Sequence, residues 1–373
     1  MAICNRSERP FPWFVANFPS IQQVTQDYRA LLDNRQVDAV YVAVPHHLHR
    51  EIYCATIRAG KHLMGEKPFG IDKEANDAIL GCLAEHPGLL VRCFSQFPFF
   101  PAVQRIGEMI EAGTFGRIIE VDAGFLHSSD LDPQKPLNWK RTVEFNGQYG
   151  CLGDLGMHVC HVPFRAGWIP QTVRAVLSNI FRQRPDGAGG LAPCDTWDNA
   201  TLLCDAIDPL CGEAFPLTLK TQRIAPGEKN TWYLQILGTQ AAVRFSTKNP
   251  KRLDWLQYAG GEQVWGRIDM GQETAFATIT GKVFEFGFSD ALLQMWAAFL
   301  YELHHGKPLS RFAGCVTPEE TALSHRLFTA ALESQRRAAV VGPHAARGER
   351  PADRIGARRF EHEEAGDVGE PNC

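Results

Sequence analysis

Val37-Asp38-Ala39-Val40-Tyr41-Val42-Ala43-Val44-Pro45 is a nearly unbroken apolar run, rich in β-branched residues and stopped by a proline. A strand with one wet face alternates apolar and polar side chains, whereas a parallel strand covered on both faces reads as a continuous run. On its C-terminal side Leu48, Ile52, Ala55 and Ala59 recur at helical spacing, and Gly60 stands where a helix C′ residue is wanted. Residues 61–65 predict a short strand, Asp72 caps a helix to about residue 85, and residues 89–95 predict another strand. Strand and helix in alternation imply a parallel sheet with right-handed crossovers.

From about residue 118 the texture changes. Residues 118–126, 173–180, 199–204, 216–224, 231–237, 241–246 and 253–258 all read as strands, with Gly238-Thr239 and Gly260-Gly261 among the turns between them. Few helical stretches intervene, which predicts a mostly antiparallel sheet. Two helices follow: one capped by Ser289 over residues 290–304, and one opening on the capping box Thr317-Pro318-Glu319-Glu320. The expected fold is α/β: a Rossmann-like parallel-sheet domain over residues 1–117, then an α+β domain with a large open sheet over residues 118–340. Residues 341–373 are rich in Gly, Pro, Arg and Glu and read as a disordered tail.

Composition excludes several functions. A net charge of −4 gives no electrostatic footprint for nucleic acid or anionic lipid. No apolar run approaches the roughly 20 residues that span a bilayer, and Met1-Ala2-Ile3-Cys4-Asn5-Arg6 has no signal-peptide pattern. Eleven cysteines, an odd number without a C-x-x-C pair, read as buried thiols in a reducing compartment, so a cytoplasmic protein is expected.

Two stretches carry chemistry. Gly65-Glu66-Lys67-Pro68 ends a strand at the carboxyl edge of the parallel sheet, where such sheets bind ligands. An amine there can hold a substrate oxygen and stabilise an alkoxide. In the Gly-rich run from Asn146 to His158, Asp154 and His158 are four apart and share a helix face. A histidine titrating near neutrality can accept a hydroxyl proton, and a carboxylate one turn away can orient the ring or the substrate. His46, His47 and His49 are close together, but no carboxylate stands at ligand spacing, so no metal is expected.

The Val37–Pro45 run, His46-His47-Leu48-His49, Ala59-Gly60-Lys61-His62, Glu66-Lys67-Pro68 and the later Asp154-x-x-x-His158 together resemble the Gfo/Idh/MocA (glucose–fructose oxidoreductase, inositol dehydrogenase) family over roughly residues 1–335. The resemblance implies hydride transfer between a sugar or cyclitol hydroxyl carbon and NAD or NADP, with Lys67, Asp154 and His158 as catalytic residues. It also implies a small sugar or polyol substrate and a homo-oligomer, with neither nucleic acid nor membrane as partner. Val44, Pro45, His46, His49, Glu66 and Lys67 are expected to border the cofactor. Such folds usually close their second strand on an acidic residue for the ribose, whereas Asn5, Arg6 and Ser7 stand here, which keeps NADP open beside NAD. No G-x-G-x-x-G precedes Val37, so Met1–Arg6 is read as that second strand, with the first β–α unit absent. Trp139, Lys140 and Arg141, together with Arg92 and Gln96, are the substrate-side candidates. An NAD-assisted glycosidase or lyase, or a non-catalytic ligand sensor, are the alternatives on the same scaffold.

Overall fold

The computed structural model describes residues 1–271, 274–279 and 285–343. Its first strands are β1 (Ala2–Cys4) and β2 (Gln23–Thr25), paired in parallel and followed respectively by α1 (Phe11–Asn17) and α2 (Tyr28–Leu32). The apolar run becomes β3 (Ala39–Val42), shorter than residues 37–45 because the chain leaves the sheet before Pro45. β4 (His62–Gly65) and β5 (Val91–Cys93) extend β3 in a parallel three-stranded sheet. α3 (His49–Arg58) and α4 (Lys73–Ala84) cross between these strands. The Asp72 carboxylate accepts from Ala75 N at 2.8 Å to start α4, and Gly60 takes φ 71° just past α3.

α5 (Pro101–Glu111) leads into the second sheet. Its strands are β6 (Ile118–Leu126), β7 (Pro170–Ser178), β10 (Asn199–Ile207), β11 (Ala214–Gln222), β12 (Thr231–Gly238), β13 (Ala241–Ser246), β14 (Arg252–Gln257) and β15 (Gly266–Asp269); β8 (Gln183–Pro185) and β9 (Leu191–Pro193) form a separate hairpin. The order is β15-β14-β13-β12-β6-β11-β10-β7, antiparallel at every pair except β6 with β11, which run parallel from Val121↔Leu217 to Leu126↔Gln222. That pair sends the carboxyl ends of two long strands to the same edge. α6 (Val143–Asn146) and α7 (Cys151–Ala166) precede β7. Every residue of α7 except Arg165 is buried, because the helix lies against β6 and β11 on one side and against α9 (Pro318–Arg337) on the other. At the start of α7, Gly150 takes φ 57°, and a Cβ there would stand 2.6 Å from Trp197 N.

Two expectations are corrected. The helix placed at residues 290–304 is α8 (Phe288–His305), and its start is held by Asp290 Oδ2 accepting from Gly287 N at 2.8 Å, not by Ser289. The expected tail does not begin at residue 341, because Val341 exchanges backbone hydrogen bonds of 2.8 and 2.9 Å with Val173. Its remainder, residues 344–373, lies outside the described residues. α1, α2 and α5 were not anticipated. Among the described residues no helix is long and apolar enough to cross a membrane.

Candidate active site

A cleft of about 780 Å³ opens where β3, β4 and β5 end. Val44, Pro45 and His46 follow β3, Glu66 and Lys67 follow β4, and Phe94 and Gln96 follow β5. Asp154 and His158 of α7 also line it, as do His127 beyond β6 and Arg223 beyond β11. The Glu-Lys-Pro turn is anchored on both sides of Lys67. Tyr53 OH donates to Glu66 O at 2.7 Å, and His325 Nε2 lies 2.6 Å from Pro68 O.

Lys67 Nζ donates to Asp154 Oδ1 at 2.8 Å and to Asp154 O at 2.6 Å, although the two residues are 87 apart in sequence. Lys140 Nζ reaches the same Oδ1 at 2.9 Å, and Arg223 donates to Oδ2 from Nε at 3.2 Å and Nη2 at 3.1 Å. Burial alone would raise the Asp154 pKa. Lys67, Arg223 and Lys140 outweigh it and hold the carboxyl well below its ordinary range, so the group stays ionised. Burial lowers the Lys140 ammonium, partly offset by Asp154.

His158 sits one turn along α7, 5% exposed, with Nδ1 2.9 Å from Ser95 Oγ. Phe97 and Phe125 meet its ring edge-on at 5.2 and 5.6 Å. Burial and then the Lys67 charge hold its pKa well below the ordinary histidine value, leaving the imidazole neutral. His46 is likewise held neutral by burial and Lys67, with Nδ1 3.1 Å from Asn146 O.

The structure thus gathers Lys67, Asp154 and His158 in one cleft with Val44, Pro45, His46, Glu66, Gln96, Trp139, Lys140 and Arg141. Trp139 meets His46 edge-on at 5.0 Å, and buried Arg141 ion-pairs with Asp130 and Asp198. It does not bring His49 to the cleft. As the first residue of α3, His49 is fully buried, stacked on Tyr53 at 4.7 Å. Its Nε2 lies 3.0 Å from Val44 O while Nδ1 accepts from Gly70 N, and burial lowers its pKa to about 3. Arg92 is also absent from the lining. Its Nε donates to Glu302 Oε2 of α8 at 2.6 Å, a structural tie between β5 and that helix. Asn5, Arg6 and Ser7 are exposed at the end of β1, outside the cleft lining; Asn5 Nδ2 donates to Ser7 O at 2.6 Å.

Sequence reasoning missed Arg223, Ser95, His127, Asp130 and Lys135. His127 and Arg223 directly follow strand ends, Asp130 and Lys135 lie in the segment after β6, and no local spacing marks any of the five. Arg223 matters most, since it supplies the third cation on Asp154.

Known proteins resemble the chain in sequence and in fold. Residues 1–92 match the profile described as "Oxidoreductase family, NAD-binding Rossmann fold" of GFO_IDH_MocA, and residues 103–244 match the "GFO/IDH/MocA C-terminal domain". Levoglucosan dehydrogenase of Pseudarthrobacter phenanthrenivorans is 28% identical over 277 residues, 70% of this chain and 67% of that protein. An uncharacterised oxidoreductase of Synechocystis is 27% identical over 59% of this chain and 58% of its own length, so the chain spans about two thirds or less of these relatives. Among solved structures, levoglucosan dehydrogenase in complex with NADH and levoglucosan superposes with a TM-score of 0.81 at 22% identity, covering 92% of this chain and 90% of the other. An inositol dehydrogenase homologue with NAD+ from Azotobacter vinelandii gives 0.74 at 18% identity, over 90% and 88%. The two profiles in sequence order, on a parallel sheet followed by a large mixed sheet, place the chain in the Gfo/Idh/MocA family of oxidoreductases.

Proposed function

We propose that the chain is an NAD(P)-dependent dehydrogenase that moves a hydride between a sugar or cyclitol hydroxyl carbon and the nicotinamide. The observation that carries this reading is the convergence, at the carboxyl edge of parallel strands, of an ammonium, a carboxylate kept ionised and an imidazole kept neutral. The cleft fits a nicotinamide in its donor set. Val44, Pro45 and Phe94 give apolar walls, and Gln96 Oε1, buried without a hydrogen-bond partner, is an acceptor for a carboxamide N–H. When bound, the cofactor supplies the hydride acceptor.

The chain's own groups handle the proton. A neutral imidazole has one N–H, so for Nε2 to accept the hydroxyl proton Nδ1 must donate to Ser95 Oγ. Lys67 spends two of its three N–H donors on Asp154, which leaves one for the substrate oxygen as its charge develops. Asp154 is the positioning group: it fixes the Lys67 ammonium and draws Lys140 and Arg223 to the same wall.

The test is NADH or NADPH formation by the purified chain across a panel of sugars and cyclitols. Activity is expected for the intact chain, with His158→Asn about 10²–10⁴-fold slower. Folded His158→Asn and Lys67→Met variants that turn over at the parental rate would remove the assignment.

A further inference from the structure

The cleft lining carries more cationic than anionic side chains. Lys67, Lys135, Lys140, Arg141 and Arg223 line it, against Glu66, Asp130 and Asp154. That is five cations to three anions on the lining, and Asp198 behind Arg141 brings the anions to four. His46, His127 and His158 add no compensation, since each is a neutral or positive group.

Two of these cations have capacity in reserve. Lys135 Nζ donates to Asp130 Oδ1 and Ser129 O, both at 2.7 Å, which leaves one ammonium donor. Lys140 spends its contacts on the single Asp154 carboxylate. The side chains of Lys135 and Lys140 are both 39% exposed, so each can turn to a ligand. Arg141, 2% exposed, is spent on Asp130 and Asp198. A neutral polyol would leave the exposed Lys135 and Lys140 ammoniums without an anionic partner of its own once it displaced water, whereas an oxyanion on the same skeleton would satisfy them.

We infer that the substrate is an acidic sugar: a polyol skeleton bearing a carboxylate or phosphate, seated against Lys135 and Lys140 with its reacting carbinol toward Lys67 and His158. The inference rests on the dehydrogenase reading for the second half of that placement and on the cationic wall for the first. Lys135 is its specificity determinant, because it touches neither Asp154 nor His158.

The experiment is a tryptophan-fluorescence titration of the full chain, with Trp139 as the reporter beside Lys140. The ligands are D-glucose, D-glucuronate and D-glucose 6-phosphate, with D-galactose and D-galacturonate as a second matched set. An acidic member is expected to bind at least about tenfold tighter than its neutral counterpart and to weaken with added salt. Lys135→Gln should erase about tenfold of that preference and Lys135→Arg should keep it; the glucuronate and phosphate arms show which oxyanion is taken. Acids that bind no better than their neutral counterparts, including no binding of any of them, overturn the inference. So does an acid preference untouched in Lys135→Gln. Parallel assays with NAD+ and NADP+ separate the two readings: oxidation of neutral sugars alone sinks the acidic substrate and leaves the dehydrogenase. Selective acid binding without any reduced cofactor does the reverse.

Discussion

Asp154→Asn removes one charge from a site where three cations share it. In the intact chain Oδ1 takes Lys67 at 2.8 Å and Lys140 at 2.9 Å, while Oδ2 takes Arg223 at 3.1 Å. Removing one partner of a buried ion pair costs about 3–5 kcal/mol, because the remaining charge is buried without compensation. Three cations lose the same partner here. Lys140 can relax toward water, whereas Arg223, 2% exposed, cannot. The expected loss is therefore toward the upper end, about 4–5 kcal/mol. Lys67→Met is the informative contrast. It leaves Asp154 with two cations and forfeits hydrogen bonds to one charged group, for about 2 kcal/mol. Equilibrium urea unfolding followed by tryptophan fluorescence should rank intact chain, Lys67→Met and Asp154→Asn in falling order. The pH dependence supplies a second check. The folded Asp154 pKa is depressed, so its contribution is complete above the unfolded carboxylate value of about 3.9 and is lost as pH falls through the lower folded value. The gap between intact chain and Asp154→Asn should stay level from neutral to mildly acidic pH and narrow only below that range. An Asp154→Asn protein unfolding at the parental midpoint, or less damaged than Lys67→Met, would refute the account of the site.

His158 is held neutral by burial and Lys67, so kcat/KM for oxidation should show no acid limb at the ordinary histidine value of about 6.5 and should fall only at lower pH; a limb at 6.5 in a pH–rate profile would contradict this. Gly150→Ala should destabilise by at least about 1–3 kcal/mol, since it adds a Cβ at φ 57° facing Trp197 N; an unchanged unfolding midpoint would show that the backbone yields there. If exposed Arg6 beyond β1 meets a 2′-phosphate, Arg6→Ala should weaken NADP+ about tenfold in calorimetric titration and leave NAD+ unaffected; equal loss for both cofactors would remove that role.

What the sequence made legible follows from how local each signal is. The 37–45 run, the Asp72 cap and the Thr317 capping box are each complete within a few residues, and the structure forms β3, α4 and α9 at those places. Glu66-Lys67-Pro68 was readable as chemistry because a strand end and a proline frame it. Asp154 and His158 were readable because one helical turn joins them. The histidines at 46 and 49 show the limit of that method. They look equivalent in the sequence, but the chain passes from a 3₁₀ turn into α3 between them, so one lines the cleft and the other is buried under it. Arg92 fails for a related reason: its partner Glu302 is 210 residues away, and nothing near residue 92 announces a carboxylate on a later helix.

Arg223 and His127 carry the lesson furthest. A meander of antiparallel neighbours would send successive strand ends to opposite edges, and these two residues would then lie far apart. They meet because β6 and β11, separated in sequence order by four other strands (β7 and β10 of the same sheet and the β8–β9 hairpin), are paired in parallel, with Leu126 opposite Gln222 and the next residue of each strand turned into the cleft. Periodicity reports which residues face inward along a strand but carries no information about which strand is its neighbour. The catalytic candidates were therefore visible from short motifs, whereas the Arg223 charge on Asp154 is set by one non-local pairing.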